Sequence, residues 1–170
     1  MNYGIVSQEQ LEQIDEILSE KLIKLGVECV IIIDMAGNII TAKDNGESKY
    51  DVYSFAALAA GNFATVDAMA KLVGEQEFSL LFHKGQDSNI HFSKIDDELL
   101  LISMFGKEIS LGFLRLNVVD VIEKIRAIWE KKIKQLHDAG RYLLSNEMMP
   151  DDVIFCKKVD RECNVEFYQP

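Results

Sequence analysis

Two cysteines near the end of the chain have a spacing that suits a metal or redox site. Cys156 and Cys163 are separated by six residues, and a turn near residues 159–160 would place their thiols opposite each other across a hairpin. The spacing is not the two-residue gap of zinc knuckles, and no histidine is close in sequence. Surface or half-buried thiols are therefore the alternative to half of a zinc site or a redox disulfide.

Two histidines form a second candidate pair. His83 and His91 bracket the turn between two predicted strands, where their imidazoles would face each other. Two imidazoles alone make a weak metal site, because zinc sites in proteins use three or four protein ligands. Ordinary positions on the sheet surface are the alternative. Cys29 lies in an apolar run and is typical of a core side chain. We therefore predict no metal site.

Three charged features have residue types that suit catalysis or ligand binding, but each also has a structural explanation. Asp34 precedes a hairpin turn, where an aspartate is expected for turn chemistry alone. The acidic run 96–98 is typical of a solvated turn, because three consecutive carboxylates cannot all converge on one cation. Arg115 lies in an otherwise apolar stretch. It suits an arginine inserted toward a nucleotide, or a side chain with a buried stem whose head pairs with a carboxylate.

The sequence lacks the common catalytic and nucleotide-binding motifs. It has no G-x-S-x-G elbow, no H-E-x-x-H, no G-x-x-x-x-G-K and no G-x-G-x-x-G. No set of acid, base and nucleophile can be assembled from the remaining motifs. We therefore predict that the protein is not an enzyme and has no cofactor.

Length and charge narrow the possible partners. The chain has 170 residues, enough for one ordinary domain or a small domain with an appendage. Its net charge of -10 argues against binding to a phosphate backbone or an anionic membrane surface. Uninterrupted apolar stretches such as 29–33 and 55–60 are far shorter than the roughly 20 residues of a membrane span, and residues 1–10 lack a signal-peptide pattern. We expect a cytoplasmic protein that binds no nucleic acid and has no membrane span.

The elements that must position these residues begin with a helix and a hairpin. Ser7 and Gln10 form a capping box before a helical pattern that ends at Gly26. The run 27–33 is apolar on both alternating faces, and it leads through a turn into a short strand, 39–41. A strand that is apolar on both faces is typical of a central strand covered by helices on both sides.

A long helix predicted from Asp51 to Gly74 has two different stripes. One stripe is bulky, and the other is a ridge of alanines at four-residue spacing. Such a helix can meet two partners at once, its own sheet and a second helix, and in a chain this short the second helix belongs to another subunit. The bulky stripe consists of Phe55, Leu58, Val66, Met69 and Val73, and the ridge consists of Ala56, Ala60, Ala64 and Ala68.

Three more strands and a third helix complete the pattern. The connections between these strands are too short for crossovers, so we predict an antiparallel meander. The third helix begins at Ser110 and is predicted to end near Leu136. Beyond it the sequence predicts a short helix, 141–149, and a closing hairpin or strand pair, 153–167. The three strands are 78–82, 90–95 and 99–105.

The order of elements and three local stretches resemble the roadblock (dynein light chain) family, most closely its bacterial MglB-like branch. The three stretches are 30–40, the alanine-rich segment 55–74, and the Ser-Leu-Gly-Phe-Leu-Arg-Leu element 110–116. The resemblance covers residues 7–136, and 138–170 has no counterpart in the minimal family domain. We therefore divide the chain into a roadblock domain, 1–137, and a C-terminal extension, 138–170.

The resemblance implies a particular α+β sandwich, of the profilin- or longin-like kind. A five-stranded antiparallel sheet would have the middle helix on one face and the terminal helices on the other, in the order α-β-β-α-β-β-β-α. It also implies a homodimer built from the middle helix and the third strand, with a sheet continuous across two subunits. The implied dimer interface contains Ala56, Ala60, Ala64, Ala68, Phe78 and Leu80.

The resemblance also implies a function. Family members typically have no catalytic residues of their own, and their dimers bind a small Ras-like GTPase, whose GTP hydrolysis some of them stimulate by reshaping it. The prediction is therefore a non-enzymatic dimeric regulator or scaffold for a small, MglA-like GTPase. The alternative is a PAS- or profilin-like sensory module for a small ligand. It predicts a cavity lined by residues such as Phe78, Phe82, Phe92 and Phe105, whereas the regulator predicts a filled core.

Overall fold

A computed structural model describes residues 7–46, 51–145, 156–159 and 165–167 of the chain. It divides into two compact units, Met1–Glu130 and Lys131–Pro170. The division falls within the third long helix, on which the predicted boundary at 137/138 also lies. The functional division of the chain at that boundary stays a prediction.

The first unit contains one five-stranded sheet with the strand order β2-β1-β5-β4-β3, and all neighbouring strands are antiparallel. The elements follow the predicted order α-β-β-α-β-β-β-α, with a short 3₁₀ turn after the first helix. The last of these helices continues past the unit boundary. The elements are α1 Gln8–Lys21, β1 Val27–Asp34, β2 Ile39–Asp44, α2 Val52–Leu72, β3 Leu81–Lys84, β4 Ser88–Lys94, β5 Leu99–Gly106 and α3 Leu111–Ser145.

The start of α1 confirms the predicted capping box. The Gln10 backbone N–H donates to the Ser7 hydroxyl at 3.3 Å, and the Ser7 backbone N–H donates to the Gln10 side chain at 3.1 Å. These two reciprocal bonds fix the first turn of the helix to its cap. Ile14 and Leu18 are buried on the inner face of this helix.

The sheet has a separate hydrophobic core on each face, which explains why β1 is apolar on both faces. Val30 and Ile32 face the core shared with α1 and α3, whereas Ile31 and Ile33 face the core shared with α2. The terminal helices therefore cover one face and the middle helix covers the other, as the family resemblance implies. All four of these side chains are at most 1% exposed.

The third strand begins later than predicted. It was expected at 78–82, but β3 is Leu81–Lys84. The connection to β4 is tight, with the Gly85 N–H donating to the Ser88 carbonyl at 3.1 Å, so the paired segment extends up to Lys84. Phe78 and Leu80 therefore lie outside the strand, just before it.

The turn between β1 and β2 is held by a buried carboxylate. Asp34 is fully buried, and its side chain accepts from the backbone N–H groups of Ala36 and Asn38, both at 2.8 Å. It also accepts from the Asn38 side-chain amide at 2.6 Å. These bonds confirm the role of Asp34 in turn chemistry, because a carboxylate so engaged fixes the backbone of the hairpin.

Gly37, in the same turn, sets how closely the hairpin approaches α2. Its φ is 88°, in the left-handed region that favours glycine. A Cβ at this position would lie 3.0 Å from Ala57 Cα, 3.3 Å from the Ala56 carbonyl oxygen and 3.4 Å from Ala60 Cβ. The backbone of the turn therefore lies against the helix where no side chain fits.

We expect Gly37→Ala to lower the free energy of unfolding by about 2–3 kcal/mol, from left-handed strain together with the clash against α2. Gly46→Ala is the matched control, because Gly46 has φ 87° and open space around its Cβ position. It should lose only the strain, about 1 kcal/mol. Urea denaturation of both variants measures the difference, and equal losses would mean that the turn does not contact the helix closely.

The last helix is longer than predicted. Instead of ending near Leu136, α3 continues to Ser145, so residues 141–145 are not part of a separate short helix. Gly140 does not stop the helix, since an interior glycine costs only about 1 kcal/mol relative to alanine, and no proline occurs before Pro150. The remainder of the predicted short helix, 146–149, lies outside the described residues.

The second unit contains a pair of antiparallel strands. They are β6 Cys156–Val159 and β7 Val165–Phe167, and their register pairs Val159 with Val165. This confirms the predicted closing strand pair, while residues 160–164 between the strands lie outside the described residues.

Candidate functional site

The two stripes of α2 are divided differently from the prediction. Ala56 and Ala60 are 0% and 7% exposed and pack on the sheet of their own chain, whereas Ala64 and Ala68 are exposed. The predicted ridge is therefore wrong as one continuous face. Its physical cause is helix geometry, because a row at four-residue spacing turns by roughly 40° at each step with 3.6 residues per turn.

The bulky stripe is split in the same way. Phe55 packs at the edge of the core beneath α2, but Leu58, Met69 and Val73 are 75%, 52% and 69% exposed. Small side chains thus face the sheet at Ala56, which lets the helix lie close to it. Three of the five large side chains of the stripe, Leu58, Met69 and Val73, are instead on the outside.

The outer face of α2 is consequently apolar and flat. Leu58, Met69 and Leu72 are its large members, and Leu72 is 86% exposed. Between them lie Gly61, which has nothing within 4 Å of its Cβ position, and the exposed Ala68. Large exposed apolar side chains grouped on one helix are typical of an interaction surface. We call Leu58, Gly61, Ala68, Met69 and Leu72 the outer face of α2.

The edge of the sheet beyond α2 is also open. Among the described residues β3 pairs only with β4, so the backbone groups along its other side have no strand partner there. Phe78 and Leu80, just before the strand, are 43% and 40% exposed. An unpaired edge flanked by apolar side chains is a ready template for another strand.

A recess of about 230 Å³ opens between α2, the segment before β3, β4 and the first turns of α3. Phe78 and Phe92 line it, but Phe82 and Phe105 do not, because their rings stack at 6.2 Å within the core. The sensory-module alternative predicts a ligand cavity lined by four phenylalanines. Only two of the four line this recess, which is at the surface.

His91 lies at the floor of this recess and is only 4% exposed. Its Nδ1 is 3.2 Å from the Ser93 hydroxyl. Burial lowers the pKa of His91 to about 4, and the nearby positive charge of Arg115 contributes in the same direction. The imidazole is therefore neutral at pH 7.

The lowered pKa of His91 makes stability depend on pH. The unfolded chain binds a proton at this histidine below its usual pKa of about 6.5, but the folded chain does so only below about 4. Stability is thus complete above the unfolded value and decreases as the pH falls from 6.5 to 4. We expect His91 to account for about 2 kcal/mol of this loss, because the exposed Arg115 charge is partly screened.

Denaturant unfolding at pH 7 and pH 4.5 measures this dependence. The His91→Gln variant should show a smaller loss of stability between the two pH values than the parent. His83→Gln is the matched control, since His83 is exposed, and it should behave as the parent. Identical pH profiles for parent and His91→Gln would show that His91 is not held neutral by the fold.

The two histidines do not face each other as predicted. The register pairs His83 with Ile90 and His91 with Phe82, which puts the imidazoles on opposite faces of the sheet. The Nε2 of His83 is 3.0 Å from the Asn62 side-chain amide. Within the described ranges, no three residues of the metal-binding types come together.

In the strand pair, Cys156 lies opposite Phe167. The predicted pairing of Cys156 with Cys163 stays a prediction, because Cys163 lies outside the described residues. Cys29 is buried in the core beneath α2, which confirms its predicted place.

The acidic run 96–98 is a turn, as predicted. Asp96 accepts from the backbone N–H groups of Glu98 and Leu99, both at 2.8 Å. Asp97 points into solvent and pairs with Lys94 at 2.8 Å, a hydrogen bond that lowers the pKa of this carboxyl. The run therefore closes the connection between β4 and β5.

Arg115 does not have the partner that was predicted for it. It is exposed at the mouth of the recess, and it forms no ion pair with a carboxylate in the described part of the chain. Its positive charge acts on His91 and helps to lower the pKa of that imidazole. The sequence drew attention to this arginine, but its place beside His91 depends on how α3 packs on β4.

No helix among the described residues combines the length and the apolar composition needed to cross a membrane.

These features define a profilin-like α+β sandwich whose middle helix has an exposed apolar face beside an open sheet edge. The Roadblock/LC7 domain profile matches residues 13–104. The chain belongs to the Roadblock/LC7 family. A comparison with curated proteins gives no match.

Three solved structures of MglB proteins are similar to this chain. The gliding protein MglB of Thermus thermophilus has a TM-score of 0.68 at 26% identity, over 77% of this chain and 98% of that one. MglB of Myxococcus xanthus has a TM-score of 0.65 at 27% identity, over 70% and 96%. An MglB with a tetrameric arrangement has a TM-score of 0.69 at 25% identity, over 77% and 98%. The fold predicted from the sequence, and the MglB-like branch, are thereby confirmed.

Proposed function

We propose that this protein is a non-enzymatic dimeric platform that binds a small Ras-like GTPase in the cytoplasm. The observation that carries the proposal is the exposed apolar outer face of α2 beside an open sheet edge, in a Roadblock/LC7 fold similar to MglB. The GTPase partner is what membership of the family implies. One similar MglB has a tetrameric arrangement, which supports self-association as a property of such chains.

The dimer would use the outer face of α2 and the edge of β3. Gly61 and Ala68 present little side-chain volume, so two antiparallel copies of α2 could approach closely there, with Leu58 and Leu72 packing around the contact. Pairing of β3 with its copy would join two sheets of five strands into one. Of the interface residues implied by the resemblance, Ala64, Ala68, Phe78 and Leu80 are available to a partner, whereas Ala56 and Ala60 are covered by their own sheet.

The negative charge of the chain fits a protein partner. A net charge of -10 would orient a cationic patch of the GTPase during encounter and would repel nucleic acid. Such steering weakens as salt is added, because the Debye length falls from about 10 Å at 0.1 M to about 3 Å at 1 M.

The experiment is co-elution on a sizing column with each small Ras-like GTPase of the source organism. We expect one of them to co-elute, and co-elution of none would contradict the proposal. Any stimulated GTP hydrolysis should be unchanged in Arg115→Gln, since the platform would act by shaping its partner. A loss of stimulation with intact binding in that variant would mean that the chain supplies a catalytic arginine.

A further inference from the structure

We propose that the recess between α2, β4 and α3 binds the carboxylate of a small organic acid with an apolar tail. This site is separate from the outer face of α2 and does not depend on the proposed GTPase partner. It combines a cation without a described ion-pair partner, a buried polar floor and an apolar wall.

The cation is Arg115. Its guanidinium lies at the mouth of the recess and pairs with no carboxylate of the described residues. A guanidinium is planar and binds a carboxylate through two parallel hydrogen bonds. The side chain that the sequence places alone in an apolar stretch is thus the charged group of the recess that a ligand can engage.

The other charged groups described around the recess are already paired. Lys94 is 2.8 Å from Asp97 and 3.6 Å from Glu77, and Asp67 is 2.6 Å from Lys71. These pairs leave the charge of Arg115 as the one to be balanced. A single positive charge balances a monocarboxylate. Arg115 would balance only part of the charge of a phosphate dianion, which the nearby Asp67 and Glu77 would also repel more strongly.

The floor is polar and buried. His91 is 4% exposed, hydrogen-bonded to Ser93 through Nδ1, and neutral. Its other ring nitrogen can therefore form one hydrogen bond with a ligand. Ser93, the hydrogen-bond partner of His91, also lines the recess, so the floor presents two polar side chains to a ligand.

The remaining wall is apolar and the space is small. Phe63 and Phe78 line one side, and Val118 and Ile122 line the side formed by α3. The volume of about 230 Å³ is below the range of about 300–1,000 Å³ that holds drug-sized ligands. The site therefore suits a short-chain or monocyclic acid whose tail lies against these side chains.

The test is to titrate the full chain with acetate, butanoate, hexanoate and benzoate. Binding is monitored through the NMR signals of the His91 ring. We expect saturable shifts at or below about 10 mM, with tighter binding for the longer tails. The Arg115→Gln variant should bind roughly tenfold more weakly or worse. The matched control Lys107→Gln, which removes an exposed cation paired with Asp87 at 3.0 Å outside the recess, should bind as the parent does.

Four results would overturn the proposal. One is the absence of saturable shifts with every acid, and another is equal affinity in Arg115→Gln and the parent. The third is equal binding of hexanol and hexanoate, which would make the recess a general apolar pocket. If the acids bound only to monomeric variants, a side chain of a second copy would be the natural occupant, and the proposal would also fail.

Discussion

Replacing Ala60 with glutamate will unfold the domain, whereas the same replacement at Ala64 will leave it folded. Ala60 is 7% exposed and lies against the β1–β2 turn, 3.4 Å from where a Cβ of Gly37 would be. A carboxylate there would be buried without a partner, at a cost of several kcal/mol. That is a large part of the roughly 5–15 kcal/mol by which domains are stable.

Thermal unfolding measured by circular dichroism distinguishes the two variants. Ala64 is exposed on the same helix one turn away, so Ala64→Glu should keep the folded spectrum and a cooperative transition, even if weaker dimerisation lowers its melting temperature. If Ala60→Glu were as stable as the parent, α2 would have to be rotated so that its alanine ridge faced outward. The account of the outer face would then be wrong.

Leu58→Glu will dissociate the proposed dimer, and Leu116→Glu will not. The two leucines are matched in exposure, at 75% and 77%, but Leu58 lies on the outer face of α2 and Leu116 lies on α3. A two-fold interface contains each substitution twice, and it would bring two carboxylates into apolar surroundings. We expect the dissociation constant of the dimer to rise by roughly a hundredfold or more.

Sedimentation equilibrium over a range of concentrations measures this constant directly. Both variants should remain folded, since neither leucine supports the core. Dissociation by Leu116→Glu with no effect of Leu58→Glu would place the self-association surface on α3. A parent chain that is monomeric at high concentration would remove the dimer from the account altogether.

The order of the elements could be predicted because its signals are local. β1 is apolar on both faces, Asp34 opens a turn, and the capping box of Ser7 marks the start of α1. Each of these patterns lies within a few residues of chain. The family resemblance then supplied the arrangement of the helices on the two faces, which the local patterns do not determine.

The rotation of α2 could not be predicted from its sequence. The helix is apolar around most of its circumference, so both the alanines and the bulky side chains were acceptable neighbours for the sheet. The choice depends on Gly37, distant in sequence, where a Cβ would lie 3.0 Å from Ala57 Cα and 3.3 Å from the Ala56 carbonyl oxygen. Only small side chains on the inner face permit this contact.

The recess was missed for a similar reason. Arg115 and His91 were both recognised as unusual, but each was assigned a different neighbour, and the pairing register put His91 on the face of α3. A shift of one residue would have put it on the face of α2. The sequence marks Arg115 as a cation in an apolar stretch, but it carries no signal for the floor of the recess beneath it.

The affinity of this chain for a small Ras-like GTPase, measured in two nucleotide states, tests most directly whether the chain is a platform for such a GTPase. Calorimetric titration would compare the GTPase loaded with GDP and with a non-hydrolysable GTP analogue. We predict that one GTPase of the source organism binds at least about tenfold more tightly in one state, and that Leu58→Glu weakens this binding. No binding by any such GTPase in either state would contradict the account.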